Sequence, residues 1–322
     1  MCLKRFNSKL ARKSIEIAAS LLWFVMMKKR KNVLRLLYNT QLLGNSLGKK
    51  IPKRWLMYGA VATITIPLIA LGSMTIPFKE DQCKALLMYY SFGLNYVNDG
   101  NNCIVFYFIM FIIQFIVHTL RTIVAIIYII ICCFLRNLLN SHSAVSAKKV
   151  IIQNADTGYA YFKNYLDTYE RIAVILKSLE KTMSLPIFLI ASSDLMGLMY
   201  GLIKLDPFNN IPENKNSIRP YTFMIVFVSA RGLLSFLCIS FAASGIHQAS
   251  KNAKDTQQDI LKQLLIVGGK KEFQESLLLN NSYNNPPFIL SAWDVFYFTK
   301  GGILSILGSV MTYSLLIMQI LK

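Results

Sequence analysis

The sequence predicts an all-α, polytopic transmembrane helix bundle, and three observations carry that assignment. Hydrophobic residues make up 54% of the 322 and charged residues only 16%, whereas soluble globular chains carry about 25% charge. The apolar residues gather in runs at 56–78, 104–135, 185–205, 222–246 and 297–321, each long enough to cross a hydrocarbon core of about 30 Å. Lys and Arg, finally, concentrate in alternate intervening segments. Nine basic residues and no acidic one lie between Lys28 and Arg54, while 78–103 and 206–221 hold two basic residues each. By the positive-inside rule the rich segments face the cytoplasm. That places 78–103, 206–221 and the carboxyl end outside, in a multi-pass protein of the plasma membrane.

The elements follow in order. Ile15–Met27 is an apolar run of 13 residues containing Glu16. Its basic start, KRFNSKLARK, suggests a signal peptide, but KKRK follows Met27 where a small-residue cleavage site belongs. It reads as a short span or the inner remnant of a longer one. After the span at 56–78 comes an outer loop holding Cys83 and Cys103, which form either a disulfide in an oxidising space or two unpaired thiols. Cys132, Cys133 and Cys238 fall in apolar helix and read as packing residues. Cys2 beside a basic stretch resembles a weak palmitoylation signal. The sequon at Asn280 lies in a segment assigned to the cytoplasm, where it stays unmodified.

Two segments between spans keep a helical pattern. In VIIQNADTGYAYFKNYLDTYERIAVILKSLEKTM, apolar and aromatic residues recur three and four apart, and ASKNAKDTQQDILKQLLIV does the same before Gly268-Gly269. The organisation expected is one membrane domain over 1–322, with cytoplasmic helical extensions at about 140–184 and 247–296 and a distinct last helix at 297–321.

Enzymatic and metal-binding patterns such as HExxH or a Walker loop are not found, and the three histidines are far apart in sequence. The chain reads as a non-enzyme without cofactor or metal. The net charge of +19 belongs to membrane topology rather than to nucleic acid, and lipid is the expected surround. Three ionisable residues, Arg121, Asp194 and Arg231, fall inside spans. Such groups mark function by default. The plainer reading is an ion pair between Asp194 and either arginine, holding helices together, with Arg121 near the cytoplasmic end and able to snorkel. In the span from Ile104, Tyr107, Phe111, Gln114, His118 and Arg121 lie within ~80° on a helical wheel. They form either an interhelical polar seam or, at the Tyr107 and Phe111 end, part of an apolar ligand cavity.

The last helix carries the sharpest pattern. Gly301, Gly302, Ser305, Gly308, Ser309, Thr312, Leu316, Gln319 and Ile320 share a sector of ~120°, and bulky aliphatics with Tyr313 fill the rest, Ser314 excepted. A stripe of small residues often means a packing seam. Gln319, however, is costly against lipid and does not help a tight seam. Small residues for width, a hydroxyl and an amide for water or ions, and aliphatic rings as a dewetting gate are the requirements of a pore-lining helix. One helix per chain cannot enclose a pore, so that reading implies a symmetric oligomer.

The stretch AWDVFYFTKGGILSILGSVMTYSLLIMQI resembles the carboxyl-terminal signature of arthropod gustatory receptors, relatives of insect odorant receptors: Thr-Tyr, five mainly apolar residues, Gln, then Phe. Thr312, Tyr313 and Gln319 match, and Ile320 replaces the Phe. The resemblance implies a seven-helix chemoreceptor, here lacking its first span. It also implies a ligand-gated nonselective cation channel, tetrameric as homomer or heteromer, opened by a small-molecule tastant or odorant bound in the outer half of the bundle. By position in the motif, Leu316 and Ile320 form the gate with Gln319 beside it. Rival readings are a G-protein-coupled-type receptor and a small-solute transporter. The first would put the carboxyl end inside and lacks its usual Asp-Arg-Tyr and Asn-Pro-x-x-Tyr stretches here. The second would show Gly/Pro-broken helix pairs in matching halves.

Overall fold

A computed structural model describes residues 2–74, 101–150, 155–204, 219–267 and 286–320. These residues hold six helices and one two-stranded hairpin: α1 Cys2–Ser46, α2 Lys53–Met74, α3 Asn101–Val150, α4 Ala155–Lys204, α5 Arg219–Val267, β1 Ser291–Ala292, β2 Phe296–Tyr297 and α6 Lys300–Ile320. Among the described residues four helices, over Phe111–Ala144, Ala160–Ile203, Ile225–Gln263 and Lys300–Gln319, are long and apolar enough to cross a membrane. The chain is an all-α polytopic bundle and a multi-pass membrane protein. Helices α3, α4 and α5 each run 49 or 50 residues, about 75 Å at 1.5 Å per residue. Each therefore outreaches the bilayer and continues as helix beyond it.

Two expectations fail at the amino end. Ile15–Met27 is not a separate short element, and the basic segment after it is not a loop. Both belong to α1, a single 45-residue helix. The reason lies in its inward face. Leu22, Val33, Leu36, Thr40 and Leu43 recur at helical spacing and are buried, so the lysines between them point outward without breaking the helix. Over Ile17–Met27 the outward face is apolar as well, with Ile17, Leu21, Trp23, Phe24 and Met27 exposed, as suits lipid. The helix ends at Gly48, whose φ of 65° only glycine adopts without cost. The Lys49 N–H donates back to the Gly44 carbonyl at 2.8 Å. This stretch, Gly44-Asn45-Ser46-Leu47-Gly48, spells the Gly-x-Ser-x-Gly letters of a hydrolase elbow, a pattern the sequence reading wrongly counted as absent. It sits at a helix end rather than a strand-to-helix turn, and the Ser46 hydroxyl donates to the Leu43 carbonyl at 2.8 Å. It is a helix cap.

Helix α4 is the hub, packing against α1, α3, α5, α6 and β1. One continuous core joins Leu36 and Leu43 of α1, Tyr128, Leu135 and Leu139 of α3, Ile172, Leu179 and Ile187 of α4, Ile239 and Ile246 of α5, and Leu290 and Phe298 around the hairpin. A smaller cluster of Phe162, Tyr165, Leu166 and Ile260 ties the first turns of α4 to the last of α5. Polar groups support it: the Tyr165 hydroxyl donates to the Ala253 carbonyl at 2.6 Å, and the His142 and Tyr165 rings stack at 4.3 Å. Cys132 is fully buried, as packing residues are, Cys133 partly so, and Cys238 is exposed. Cys83 and the side chains of Cys103 and Tyr107 lie outside the described residues.

Glycines set the closest approach in the bundle. Gly197 and Gly201 stand one turn apart on α4, a small-xxx-small pair facing α5. A Cβ on Gly201 would overlap the Ser229 hydroxyl, and one on Gly232 would stand 2.7 Å from the Asp194 carbonyl oxygen. The two backbones therefore touch beside Asp194.

Candidate functional site

Two constellations stand out, one on α6 with the hairpin that leads into it, the other buried between α3, α4 and α5.

The expected last helix, 297–321, begins three residues late. Residues 296–297 belong to β2, and the end of the expected helical extension at 247–296 is instead the start of a hairpin, β1 Ser291–Ala292 paired with β2 Phe296–Tyr297. Trp293 and Asp294 have φ of 52° and 56°, the signature of a type I′ turn, and the Val295 N–H reaches the Ala292 carbonyl at 3.0 Å. A bulky Trp in the left-handed region is costly, and α4 holds it there. The Ser184 hydroxyl oxygen accepts from the Trp293 N–H at 2.6 Å. The Glu180 carboxylate accepts from the Ser291 N–H at 3.1 and 3.2 Å and from the Ser291 hydroxyl. Phe188 lies 5.4 Å from the Trp293 ring and 6.5 Å from Phe296. The clamp sits where α4, though continuous, lacks one ladder hydrogen bond: Pro186 has no N–H for the Thr182 carbonyl. Lys29 of α1 supplies the missing donor, its ammonium bonding the carbonyls of Thr182 at 3.1 Å and Lys181 at 3.0 Å. Partial burial lowers the Lys29 pKa.

From the hairpin the chain enters α6 at Thr299, whose hydroxyl caps the Gly302 N–H at 3.1 Å. Helix α6 rests on α4 and α5 through Ile303, Ile306 and Leu307. Ser314, the lone polar residue outside the stripe, is 1% exposed and turns inward, donating to the Val310 carbonyl at 2.7 Å. The stripe points the other way. Gly301, Ser305, Gly308, Ser309, Thr312, Leu316 and Gln319 are all exposed, so it is no packing seam among the described residues. Leu304, Met311, Leu315 and Tyr313, expected among the bulky surround, are exposed beside it. The Ser309 and Thr312 hydroxyls donate to the Ser305 and Gly308 carbonyls, each at 2.9 Å. With their hydrogens committed, they present oxygen lone pairs outward. Leu316 is 49% exposed, and the side chain of Ile320 lies outside the described residues.

The second constellation resolves the pairing left open by the sequence. Arg121 is the partner of Asp194, Nη2 to Oδ1 at 2.5 Å, with side chains 5% and 2% exposed. It does not snorkel, because α3 turns it into the bundle toward the only carboxylate that ion-pairs with it among the described residues. Arg231 of α5 bonds His118 Nδ1. His118, 6% exposed, shares the inward face of α3 with Arg121. Phe111, two turns along that face, is 40% exposed, and the side chain of Gln114 is outside the described residues. The Gly197–Gly201 seam that brings α4 and α5 together was legible as a small-xxx-small repeat and went unused.

Comparison with known proteins agrees with this architecture. No curated protein sequence matches the chain. Its structure is similar to that of the insect olfactory receptor OR5 from Machilis hrabei, with a TM-score of 0.66, 10% identity, and coverage of 96% of this chain and 80% of that one. Similarity to the same receptor in complex with eugenol gives a TM-score of 0.62 at 11% identity, covering 98% and 82%. At such identities the likeness is one of fold. Residues 19–320, nearly the whole chain, match the 7tm chemosensory receptor family, and the chain belongs to that family.

Proposed function

We propose that this chemosensory receptor is of the gustatory type and works as a ligand-gated, nonselective cation channel. It assembles as a tetramer, homomeric or heteromeric, with α6 at its axis and its carboxyl end outside the plasma membrane. The observation that carries the reading is the direction of the α6 stripe. It faces away from the chain's own bundle, where lipid or other subunits must cover it. Against lipid, an unpartnered Gln319 amide would cost about 1–3 kcal/mol or more, and the exposed hydroxyl oxygens would gain nothing. Around a symmetric axis the same residues meet water. The outward lone pairs of Ser309 and Thr312 suit cations, and Leu316 with Ile320, one turn apart, forms apolar rings that close by dewetting. Thr312, Tyr313 and Gln319, matching the gustatory signature, support the type. A tastant or odorant enters a cavity to which Tyr107 and Phe111 contribute. OR5 from Machilis hrabei has been solved with eugenol, which supports a small organic ligand here.

The test is patch-clamp recording at equal surface expression. Leu316→Ser should hydrate the constriction and give a basal cation leak. Leu315→Ser makes the same chemical change ~100° around the helix and should stay closed. Leak from Leu315→Ser with silence from Leu316→Ser would put the pore on another face and sink the assignment.

A further inference from the structure

Between α3, α4 and α5 the charges do not balance. Two guanidiniums, Arg121 and Arg231, converge on one carboxylate, Asp194, and Asp194 is already engaged by Arg121 at 2.5 Å. Arg231 forms no ion pair among the described residues and binds the His118 ring instead. The formal sum of two positive charges and one negative leaves one cation over, inside the apolar stretches of three helices. Burial of a charge there is costly unless it is matched.

The hydrogen bonds are incomplete in the same direction. A guanidinium only donates, so His118 Nδ1 accepts from Arg231, and the proton of the neutral ring sits on Nε2. That Nε2–H is buried without a partner, as is the Arg121 Nε–H. Asp194 Oδ2 is the one orphan acceptor among these residues. The cluster therefore lacks one negative charge carrying acceptor oxygens. Water would supply acceptors without charge, and a halide would supply charge without the paired oxygens that a planar guanidinium fork matches.

We propose that this cluster receives the carboxylate of a small organic acid, bound by the free donors of the Arg231 fork and the Arg121 Nε–H. Arg231 is only partly buried and offers the approach. Phe111, two turns from His118 on the same face of α3 and about 10 Å away along the axis, marks where the apolar body of the acid lies. The inference rests on the receptor reading and narrows its ligand to an amphipathic acid.

The experiment measures equilibrium binding to the purified full chain in detergent, comparing 4-phenylbutyrate with its neutral amide at constant ionic strength. The acid should bind about tenfold more tightly, the gain of one charge-assisted contact over a neutral one. Arg231→Gln should bring the two within about twofold, by weakening acid binding far more than amide binding. Arg231→Lys keeps the charge and serves if the Gln variant folds poorly. It too should lose most of the preference, because a single ammonium replaces the fork. Equal binding of acid and amide by the wild type would overturn the proposal. So would a preference that survives Arg231→Gln. Binding is read without current: acid preference in a chain that never conducts would sink the channel reading and leave this one standing.

Discussion

Removing the Asp194 carboxylate should be the most damaging single change in the membrane-embedded core. Asp194 is 2% exposed and Arg121 5%, so Asp194→Leu leaves one guanidinium fully buried and a second partly buried, with no counter-charge between them. Breaking a buried pair from one side costs about 3–5 kcal/mol, a large share of the roughly 5–15 kcal/mol that holds a typical domain folded. At about 2–4 °C per kcal/mol for chains of 150–250 residues, and less for longer ones, the thermal midpoint should fall by roughly 5–15 °C. The assay is fluorescence-detected size exclusion of the detergent-solubilised protein after heating. Repair should be stepwise. Adding Arg121→Leu removes the cation in direct contact and recovers part of the loss. Only the further change Arg231→Leu should return the midpoint to near wild type, since apolar replacement of a whole buried charge set is close to neutral. If Asp194→Leu alone leaves the midpoint unmoved, the carboxylate is not the shared counter-ion. If the double change recovers everything, Arg231 does not depend on it.

Two further outcomes follow from close contacts. Glu180→Gln weakens the acceptor of both Ser291 donors and should cost about 1–3 kcal/mol, read as faster proteolysis near Trp293 in the folded protein. Gly232→Leu puts a side chain where a Cβ already stands 2.7 Å from the Asp194 carbonyl. It should part α4 from α5 at a cost of about 1–3 kcal/mol or more, measured as a lower thermal midpoint, whereas Gly72→Leu, with open space around it, should be tolerated.

What the sequence revealed and what it hid divide along a physical line. Hydropathy and helical periodicity are local, so the all-α membrane class and the grouping of Gly301 through Gln319 on one stripe could be read directly. Which way that stripe faces is not local: it depends on Ile303 and Ile306 docking against Ala191 and Phe236, far away in the chain. The Arg121–Asp194 pair closes a separation of 73 residues, and two arginines competed equally for the carboxylate on paper. The charge run at 28–35 was misread as a loop because the burial of Val33, Leu36 and Leu43 against other helices is invisible to a composition count. The hairpin was hidden for a different reason. Its turn residues, Trp293 and Asp294, lack the glycine that usually announces a type I′ turn, because bonds from Ser184 and Glu180, over a hundred positions earlier, supply the stability that glycine would. Those two acceptors and Asp194 lie on one helix, with Glu180 and Asp194 14 residues or about 21 Å apart. Pro186 falls between them. A shift in α4 at the buried charge cluster is therefore carried along a single element to the hairpin that sets the start of α6. For the channel proposed above, that continuity offers a physical route by which ligand bound in the bundle would bias the pose of the last helix.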